Sequence, residues 1–203
     1  IQVLDFTRVV AGPYCTRILA DLGAQVIKVD KVPEGEDPVR SDGRAGNNVG
    51  KRSIAIDLKQ ESGIEVALKL AANADVIVEN FRPGVMDRLS LGYQQIEEIN
   101  PDIIFASISG FGQTGPLTHR RAYGATAHAE AGWLWVQQQA SGSQAPFAPG
   151  VTVADIMAGT NTVLAILAAL FDRERTGQGQ WIDITLMESQ LAMLNEPASQ
   201  ALA

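Results

Sequence analysis

The stretch "VLDFTRVVAGPYCTRILADLGAQVIKVD" (residues 3–30) decides the fold class of this chain. An apolar run of strand length covers residues 1–6, apolar residues at helical spacing follow over 12–23, and a second strand pattern covers 24–30. Gly23 ends the helical pattern, as glycine commonly does at the C-terminus of a helix. The stretch therefore predicts a βαβ unit, which is the building block of parallel sheets.

The same alternation continues along the chain. Strands are predicted over 52–58, 75–81 and 102–109, and helices over 60–74 and 84–100. Strands rich in Val and Ile that alternate with helices are typical of a parallel sheet with helices on both faces. The predicted fold class is therefore α/β, and such sheets bind ligands in the loops at the carboxyl ends of their strands.

The last third of the chain predicts one long helix and one more strand. The helix covers about 156–172, and the strand lies within 174–188 after a glycine-bounded turn. Three polar segments predict long loops, over 34–50, 110–121 and 137–150. The chain ends inside a helical pattern without a closing strand or cap, which favours a piece of a longer protein.

Composition and charge limit the function classes. The 203 residues are 46% hydrophobic and 19% charged, which is ordinary for one large globular domain or two small ones. A formal net charge of -7 argues against a general attraction to nucleic acid or to anionic membranes. The single cysteine, Cys15, excludes an internal disulfide framework and a cysteine-based zinc site, and we expect a buried, inert thiol.

Neither a membrane anchor nor an export signal is predicted. The apolar run over 163–171 is shorter than the roughly 20 residues that cross a bilayer, and it fits a buried helix. Residues 1–6 are typical of a strand rather than of a signal peptide, so the predicted location is the cytoplasm. The two histidines, His119 and His128, lack neighbours at metal-ligand spacing, and neither is our candidate base.

Two glycine-containing motifs bear on nucleotide binding. The motif "GFGQTG" (110–115) lacks the GxGxxG spacing, and no helical pattern begins directly after it, which argues against a nicotinamide dehydrogenase. In the first turn, Ala11, Gly12 and Pro13 bring a small stretch of backbone close to a helix N-terminus. Either a bound phosphate or tight packing would explain this arrangement.

Cationic and polar residues also stand near predicted strand ends. Asn80, Phe81 and Arg82 stand at the end of the strand predicted over 75–81, where they suit an adenine or phosphate contact, although a solvated turn would explain Arg82 alone. The motif "GKRS" (50–53) places two cations before a strand, which is typical of a solvated basic turn.

Asp155, in "VTVADIMAG" (151–159), has two interpretations. As an N-cap it would accept a backbone N–H at the start of the long helix, a role worth about 0.5–2 kcal/mol. The same position would keep the carboxylate ionised beside the positive end of the helix dipole, and the small residues after it leave room for a substrate. A carboxylate placed in this way could attack a carbonyl carbon, so both interpretations stay open at this point.

Six consecutive segments resemble the class III coenzyme A transferase (CaiB/BaiF) family, which contains formyl-CoA transferase, carnitine CoA-transferase and alpha-methylacyl-CoA racemase. The segments are "VLDFTRVVAGPYCTRILADLGAQVIKVD", "KRSIAIDLK", "DVIVENFRPGVMDRL", "NPDIIFASISGFGQTGP", "VADIMAG" and "RTGQGQWIDITLME". Their order and spacing match nearly the entire chain, which makes the resemblance specific. Members of the family are about twice as long, so the chain resembles their N-terminal half.

The resemblance implies a Rossmann-like large domain that binds CoA, here over residues 1–203. The second, smaller domain and the returning C-terminal segment of the family are expected to be largely absent. The resemblance also implies a homodimer of two subunits that interlock as rings. Its substrates would be an acyl-CoA and a carboxylic acid, and its reaction requires no metal.

The resemblance assigns roles to individual residues. The catalytic aspartate of the family corresponds to Asp155. The positions that contact CoA correspond to Val10, Ala11, Lys59, Asn80, Phe81, Arg88, Arg121 and Tyr123. Gly124 stands where an acidic residue is common, and Val10 stands where formyl-CoA transferase has a glutamine.

The predicted function is that of an acyl-CoA:carboxylate CoA-transferase that works through a mixed anhydride and an aspartyl-CoA thioester. One alternative is an acyl-CoA racemase or epimerase, because the racemase branch of the family has a histidine where this chain has Tyr123. A racemase needs a base for the α-proton, and tyrosine is a poor base near neutral pH. The other alternative is a noncatalytic acyl-CoA-binding subunit.

Overall fold

The computed structural model describes residues 1–32 and 45–202. Most of the predicted loop over 34–50 lies outside the described residues, and the described part begins with a short 3-10 turn, Ala45–Asn48. The predicted loop over 110–121 is free of helix and strand in this described region.

Within the described residues, six strands form one fully parallel sheet, as the sequence predicted. The strands are β1 (Gln2–Asp5), β2 (Gln25–Asp30), β3 (Arg52–Ala55), β4 (Val76–Glu79), β5 (Ile104–Ser109) and β6 (Gln180–Thr185). Their spatial order is β3-β2-β1-β4-β5-β6, which is the Rossmann order. The chain builds the sheet in one direction from β1 to β3 and in the other direction from β4 to β6, so β1 and β4 flank the switch point. A parallel sheet of this kind binds its ligand in the crevice at the carboxyl ends of these two strands.

Helices cover both faces of this sheet. They are α1 (Ala11–Asp21), α2 (Glu61–Ala71), α3 (Val85–Arg88), α4 (Tyr93–Ile99), α5 (Gly124–Glu130), α6 (Trp133–Ser141), α7 (Val153–Thr176), α8 (Leu186–Ala192) and α9 (Asn195–Leu202). Neighbouring strand residues point to opposite faces, so Val3 packs into the core beneath α1 and α7, while Leu4 packs beneath α2 and α4. Cys15 is fully buried in the same core as Val3, as predicted, and burial raises the pKa of its thiol.

Two predicted elements differ in their bounds. The predicted helix over 84–100 is two helices, because Ser90 has a φ of 56° and this left-handed backbone ends α3. The predicted loop over 137–150 is helical up to Ser141, because α6 continues until Gly142, whose φ of 67° ends the helix.

The helix α7 is longer than predicted, with 24 residues. Its length and a window of mean hydropathy 1.7 would suffice to cross a membrane, and 44% of that window is buried in this fold. Its inner residues, which include Ala158 and Ile166, pack against the sheet in the same core as Val3. These contacts are those of the central helix of an α/β domain.

A buried ionic cluster sits at the carboxyl end of β1. The carboxylate of Asp5 is fully buried, and it lies 3.0 Å from Lys51 Nζ and 3.6 Å from Lys28 Nζ. It also accepts hydrogen bonds from the hydroxyls of Thr7 (2.5 Å) and Thr16 (2.6 Å). Burial raises the pKa of Asp5, but the two ammonium groups and the hydroxyls together outweigh burial and lower it.

Lys51 contradicts the sequence interpretation of "GKRS" as a solvated turn, since only 1% of its side chain is exposed. Its ammonium group also donates to the carbonyl of Pro13 over 2.9 Å, and Lys28 Nζ donates to the carbonyl of Thr7 over 2.5 Å. The cluster therefore fastens the turn between β1 and α1 to β2 and to the segment before β3.

We expect the substitution Asp5→Asn to lower the free energy of unfolding by about 3–5 kcal/mol, because it leaves two buried ammonium groups without a counterion. The matched control is Asp21→Asn, which removes an exposed ion pair with Arg17 and should cost less than about 1 kcal/mol. Urea denaturation at neutral pH measures both. Equal, small losses for the two variants would contradict this account of the cluster.

Candidate active site

The crevice at the carboxyl ends of β1 and β4 is held together by Asn80. The backbone N–H of Arg8 donates to Asn80 Oδ1 over 2.8 Å, and Asn80 Nδ2 donates to the carbonyl of Arg8 over 2.7 Å. These paired bonds join the loop after β1 to the loop after β4. Asn80 therefore fixes the width of the crevice at the point where the strand order reverses.

The turn between β1 and α1 is tightly constrained. Val9 has a φ of 71°, which is a strained conformation for a β-branched residue. A Cβ added to Gly12 would lie 2.3 Å from the Cβ of Thr7, so tight packing accounts for this glycine. Val10 is the N-cap residue of α1, and Ala11 begins the helix.

A cavity of about 280 Å³ opens above this turn. Six of the residues predicted for the site line it: Ala11, Asn80, Phe81, Arg121, Tyr123 and Asp155. They come from the start of α1, from the loop after β4, from the segment before α5 and from the first turn of α7. Residues far apart in the chain therefore meet in one cavity.

Asp155 is buried in the wall of this cavity, with 8% of its surface exposed. Its Oδ2 atom is enclosed and has no hydrogen-bond partner among the described residues. Burial raises the pKa of the Asp155 carboxyl above its ordinary value, although a bond from its own backbone N–H acts in the opposite direction. The ionised form is therefore less stabilised than a carboxylate in water.

The N-cap interpretation of Asp155 is wrong. The carbonyl of Thr152 accepts the N–H of Ile156 over 3.1 Å, so Thr152 is the N-cap residue and α7 begins at Val153. Asp155 is the third residue of the helix, in its first turn. Its carboxylate accepts only the N–H of Asp155 itself, its Oδ2 atom has no partner among the described residues, and the residue lines the cavity.

Gly124 gives the Asp155 carboxylate its space. A Cβ added to Gly124 would lie 2.2 Å from Asp155 Oδ2, which is closer than any real contact. The departure from the acidic residue that is common at this position therefore has a geometric consequence. An acidic side chain at position 124 would require Asp155 to adopt a different place.

Arginine side chains make the cavity a suitable place for anions. Arg8 lies over the ring of Phe81 at 5.6 Å, and Arg120 lies over the ring of Phe111 at 5.0 Å. Arg82 and Arg121 also line the cavity. Stacking on aromatic rings holds a guanidinium group in place and leaves its edge able to bind carboxylate or phosphate.

Two other predicted residues lie together in a second cleft. Lys59 and Arg88 line an open cleft of about 510 Å³ between α2 and the segment around α3. Leu58, Leu68 and Leu89 supply apolar surface beside the two cations. The structure thus brings Lys59 and Arg88 to each other, but it does not place them in the cavity with Asp155.

Sequence reasoning missed Glu79, the last residue of β4, which is 3% exposed. It accepts the backbone N–H of Phe81 over 2.8 Å and a bond from Ser107, whose oxygen accepts from Trp181 Nε1 over 3.0 Å. Burial raises the pKa of Glu79 to about 7. Glu79 therefore holds the backbone directly after Asn80. The sequence signal for this role is a carboxylate at the end of the buried strand "VIVE".

His128 is a second residue whose role the sequence did not reveal. It is 2% exposed on α5, and its Nε2 atom accepts the backbone N–H of Ala154 over 3.1 Å. Burial lowers the pKa of His128, which favours the neutral imidazole that this bond requires.

Comparisons with known proteins agree in family and fold. The model of "CoA-transferase family III" matches residues 1–203. The chain is 42% identical to mouse succinyl-CoA:glutarate CoA-transferase, covering 100% of this chain and 48% of that protein. It is 40% identical to acetyl-CoA:oxalate CoA-transferase of Acetobacter aceti, covering 96% of this chain and 52% of that protein. The chain thus spans about half the length of these curated relatives.

A solved structure has the same fold. A CAIB/BAIF family protein from Brucella suis superposes with a TM-score of 0.90 at 37% sequence identity, covering 100% of this chain and 56% of that protein. The order of strands and helices described above is therefore that of a known fold family.

We expect Asp155→Asn to raise the free energy of unfolding by about 1–3 kcal/mol at pH 7.5, because it removes a buried charge that lacks a hydrogen-bond partner. The folded-state pKa of Asp155 is raised, so the gain is complete above that pKa and disappears as the pH falls toward the ordinary value of 3.8. Urea denaturation across this pH range measures it. A destabilised variant at pH 7.5 would show that the carboxylate has a partner in the fold.

Proposed function

This chain belongs to CoA-transferase family III, and we propose that it forms the CoA-binding, nucleophile-bearing part of an acyl-CoA:carboxylate CoA-transferase. Since it spans 48% of a curated relative, the activity and substrates of the whole protein are part of this proposal. The observation that carries the proposal is Asp155 Oδ2, which is buried without a hydrogen-bond partner among the described residues and belongs to a side chain that lines an arginine-rich cavity.

Such a carboxylate is suited to nucleophilic attack. Hydrogen bonds and water stabilise an ionised carboxylate and reduce its reactivity, and Asp155 lacks much of both. The nearby arginines attract an anionic substrate and can neutralise charge that develops on its carbonyl oxygen. The backbone N–H groups of Ala11 and Gly12, in the first turn of α1, have no acceptor within the helix, and Ala11 lines the cavity, so they would be further donors.

The reaction would proceed by successive exchanges at carbonyl carbons. An oxygen of Asp155 attacks the donor thioester, the C–S bond breaks, and CoA leaves as a thiolate while a mixed anhydride remains. The thiolate then attacks the aspartyl carbonyl, and the anhydride C–O bond breaks to release the donor carboxylate and leave an aspartyl-CoA thioester. The acceptor carboxylate takes up CoA by the reverse sequence, which restores Asp155 without a net change of protons or electrons.

The two clefts suggest a path for CoA. Lys59 and Arg88 would bind the phosphate-bearing nucleotide end in the open cleft, where leucine side chains offer an apolar surface. Asn80 and Phe81 lie at the switch point of the sheet and would guide the thiol end toward Asp155. Ala11, which lines the cavity at the start of α1, would contact it there. Val10, the N-cap residue of α1, is not among the residues that line either cleft, and its contact with CoA stays a prediction from the resemblance.

Dicarboxylic acids are the substrate class that we favour. The relatives named above act, by their names, on succinyl-CoA with glutarate and on acetyl-CoA with oxalate. A dicarboxylate presents one carboxyl group for the exchange and carries a second negative charge. Arg82 and Arg121, which line the same cavity as Asp155, would bind that second group.

The racemase alternative has less support from the site. Tyr123 is 67% exposed, so it is not enclosed beside Asp155. The Nε2 atom of His128 is already engaged with the N–H of Ala154. Neither residue therefore offers a ready acceptor for a substrate α-proton beside Asp155.

Incubation with succinyl-CoA in the absence of an acceptor should add a CoA thioester to the protein, detectable by intact-mass spectrometry. Hydroxylamine should remove the adduct and leave a hydroxamate on the peptide that contains Asp155, and Asp155→Asn should form none. An adduct on a different residue would overturn the assignment of Asp155. Tight CoA binding without any adduct would favour the noncatalytic acyl-CoA-binding subunit.

We expect Gly124→Ala to slow formation of this adduct on the order of 100-fold, because the new Cβ would displace the carboxylate that now lies 2.2 Å from its position. The matched control is Gly150→Ala, since a Cβ there meets nothing within 4 Å. Single-turnover rates at saturating succinyl-CoA make the comparison. Unchanged rates in both variants would mean that Asp155 reacts from another position.

A further inference from the structure

We propose that His128 is a positioning residue, whose neutral imidazole holds the first turn of α7 and thereby places Asp155 for attack. This inference deepens the proposed function, and its catalytic part rests on that function. Its structural part concerns a single hydrogen bond, from the N–H of Ala154 to His128 Nε2, and can be tested separately.

The bond matters because the start of a helix leaves backbone donors without partners. In α7 the N–H of Val153 donates to the carbonyl of Val151 over 2.9 Å, and the carbonyl of Thr152 accepts from Ile156. The Thr152 side chain makes no capping bond in the described structure. The N–H of Ala154 therefore depends on His128, which supplies from α5 the cap that the local sequence does not.

Water cannot readily replace this acceptor. Ala154 is fully buried and His128 is 2% exposed, and the ring of Trp133 packs near the imidazole at 6.5 Å between centroids. A buried N–H that loses its acceptor carries the full cost of its desolvation. The first turn would then move to find another partner, and Asp155 is the next residue along the chain.

Two contacts from the same helix thus fix the Asp155 region. Gly124, the first residue of α5, leaves the space that Asp155 Oδ2 fills, and His128, one turn later, holds the peptide directly before Asp155. The helix α5 packs against α7. A shift of α5 or a loss of the bond would therefore move the carboxylate relative to the thioester.

The bond also sets the protonation state of His128. Nε2 can accept only in the neutral form that carries its proton on Nδ1, because both nitrogens of the imidazolium are donors. The charged side chains at the near ends of the elements around it are Glu130 on α5, paired with Arg120, Glu188 on α8, bonded to Thr185, and Asp155 on α7. The other charged residues of α7, Asp172, Arg173, Glu174 and Arg175, lie in the last turns of that helix. Burial is the cause that lowers the pKa of His128, so protonation at acidic pH would break the bond.

The test compares His128→Gln, which keeps an acceptor oxygen, with His128→Leu, which removes it. We expect His128→Leu to lower kcat on the order of 10- to 100-fold with KM for succinyl-CoA nearly unchanged, and His128→Gln to recover most of kcat. The kcat of the wild type should decrease as the pH becomes acidic, because protonation of His128 breaks the bond. Glutamine does not titrate, so the kcat of His128→Gln should decrease less over the same pH range. The exposed residue in His119→Leu serves as the control and should change neither constant.

Equal kcat values for folded His128→Leu and the wild type would overturn the positioning role, as would a glutamine variant no better than leucine. Should His128→Leu fail to fold, the pH profile of His128→Gln decides. Nitrogen-15 NMR of labelled histidine is independent of activity, and we expect an Nδ1-protonated, neutral His128 at pH 7. An Nε2-protonated or charged ring would overturn the inference. If NMR shows the expected neutral, Nδ1-protonated ring but the wild type forms no CoA adduct, only the proposed function is refuted.

Discussion

The buried carboxylate of Asp5 is the contact on which the proposed catalytic edge depends. It joins β1 to Lys28 of β2 and to Lys51 before β3; Lys28 also donates to the carbonyl of Thr7 in the turn after β1, and Lys51 to the carbonyl of Pro13 in the first turn of α1. A buried ion pair contributes little net stability compared with well-packed apolar residues, but it allows only a narrow range of geometries. In this protein the Asp5 carboxylate holds the side chain of Thr7 in place, and the backbone of Gly12 packs closely against that side chain.

Asp155 represents the opposite use of a buried carboxylate. Asp5 has two cations and two hydroxyls around it, whereas Asp155 Oδ2 has no such partner within the described residues. The rest of the fold holds Asp155 in this unfavourable place through long-range contacts, chiefly from α5 and from the core that surrounds α7. A site that is locally unstable in a stable framework is the arrangement expected where reactivity is required.

Strand and helix periods predicted the parallel α/β fold, and the resemblance of six segments predicted the family; both predictions are confirmed. What the sequence could not predict depends on distant contacts or on single backbone angles. The left-handed Ser90 divides a predicted helix, and the burial of Lys51 follows from a partner that lies 46 positions away. The contact between His128 and Ala154 likewise joins residues that no local pattern relates. The roles of the individual site residues stay predictions that rest on the resemblance and on the geometry.

The most direct test of the nucleophilic role of Asp155 follows oxygen atoms through turnover. If the acceptor is glutarate labelled with oxygen-18 in its carboxyl groups, the bridging oxygen of the second mixed anhydride comes from the acceptor. It stays on the aspartate when the CoA thiolate attacks the glutaryl carbonyl and breaks the bond between that carbon and the bridging oxygen. Mass spectrometry of peptides after turnover with succinyl-CoA should then find oxygen-18 in the peptide that contains Asp155, a gain of about 2 Da after one turnover and of up to about 4 Da once both carboxylate oxygens have exchanged. Turnover to glutaryl-CoA without label at Asp155 would contradict the account.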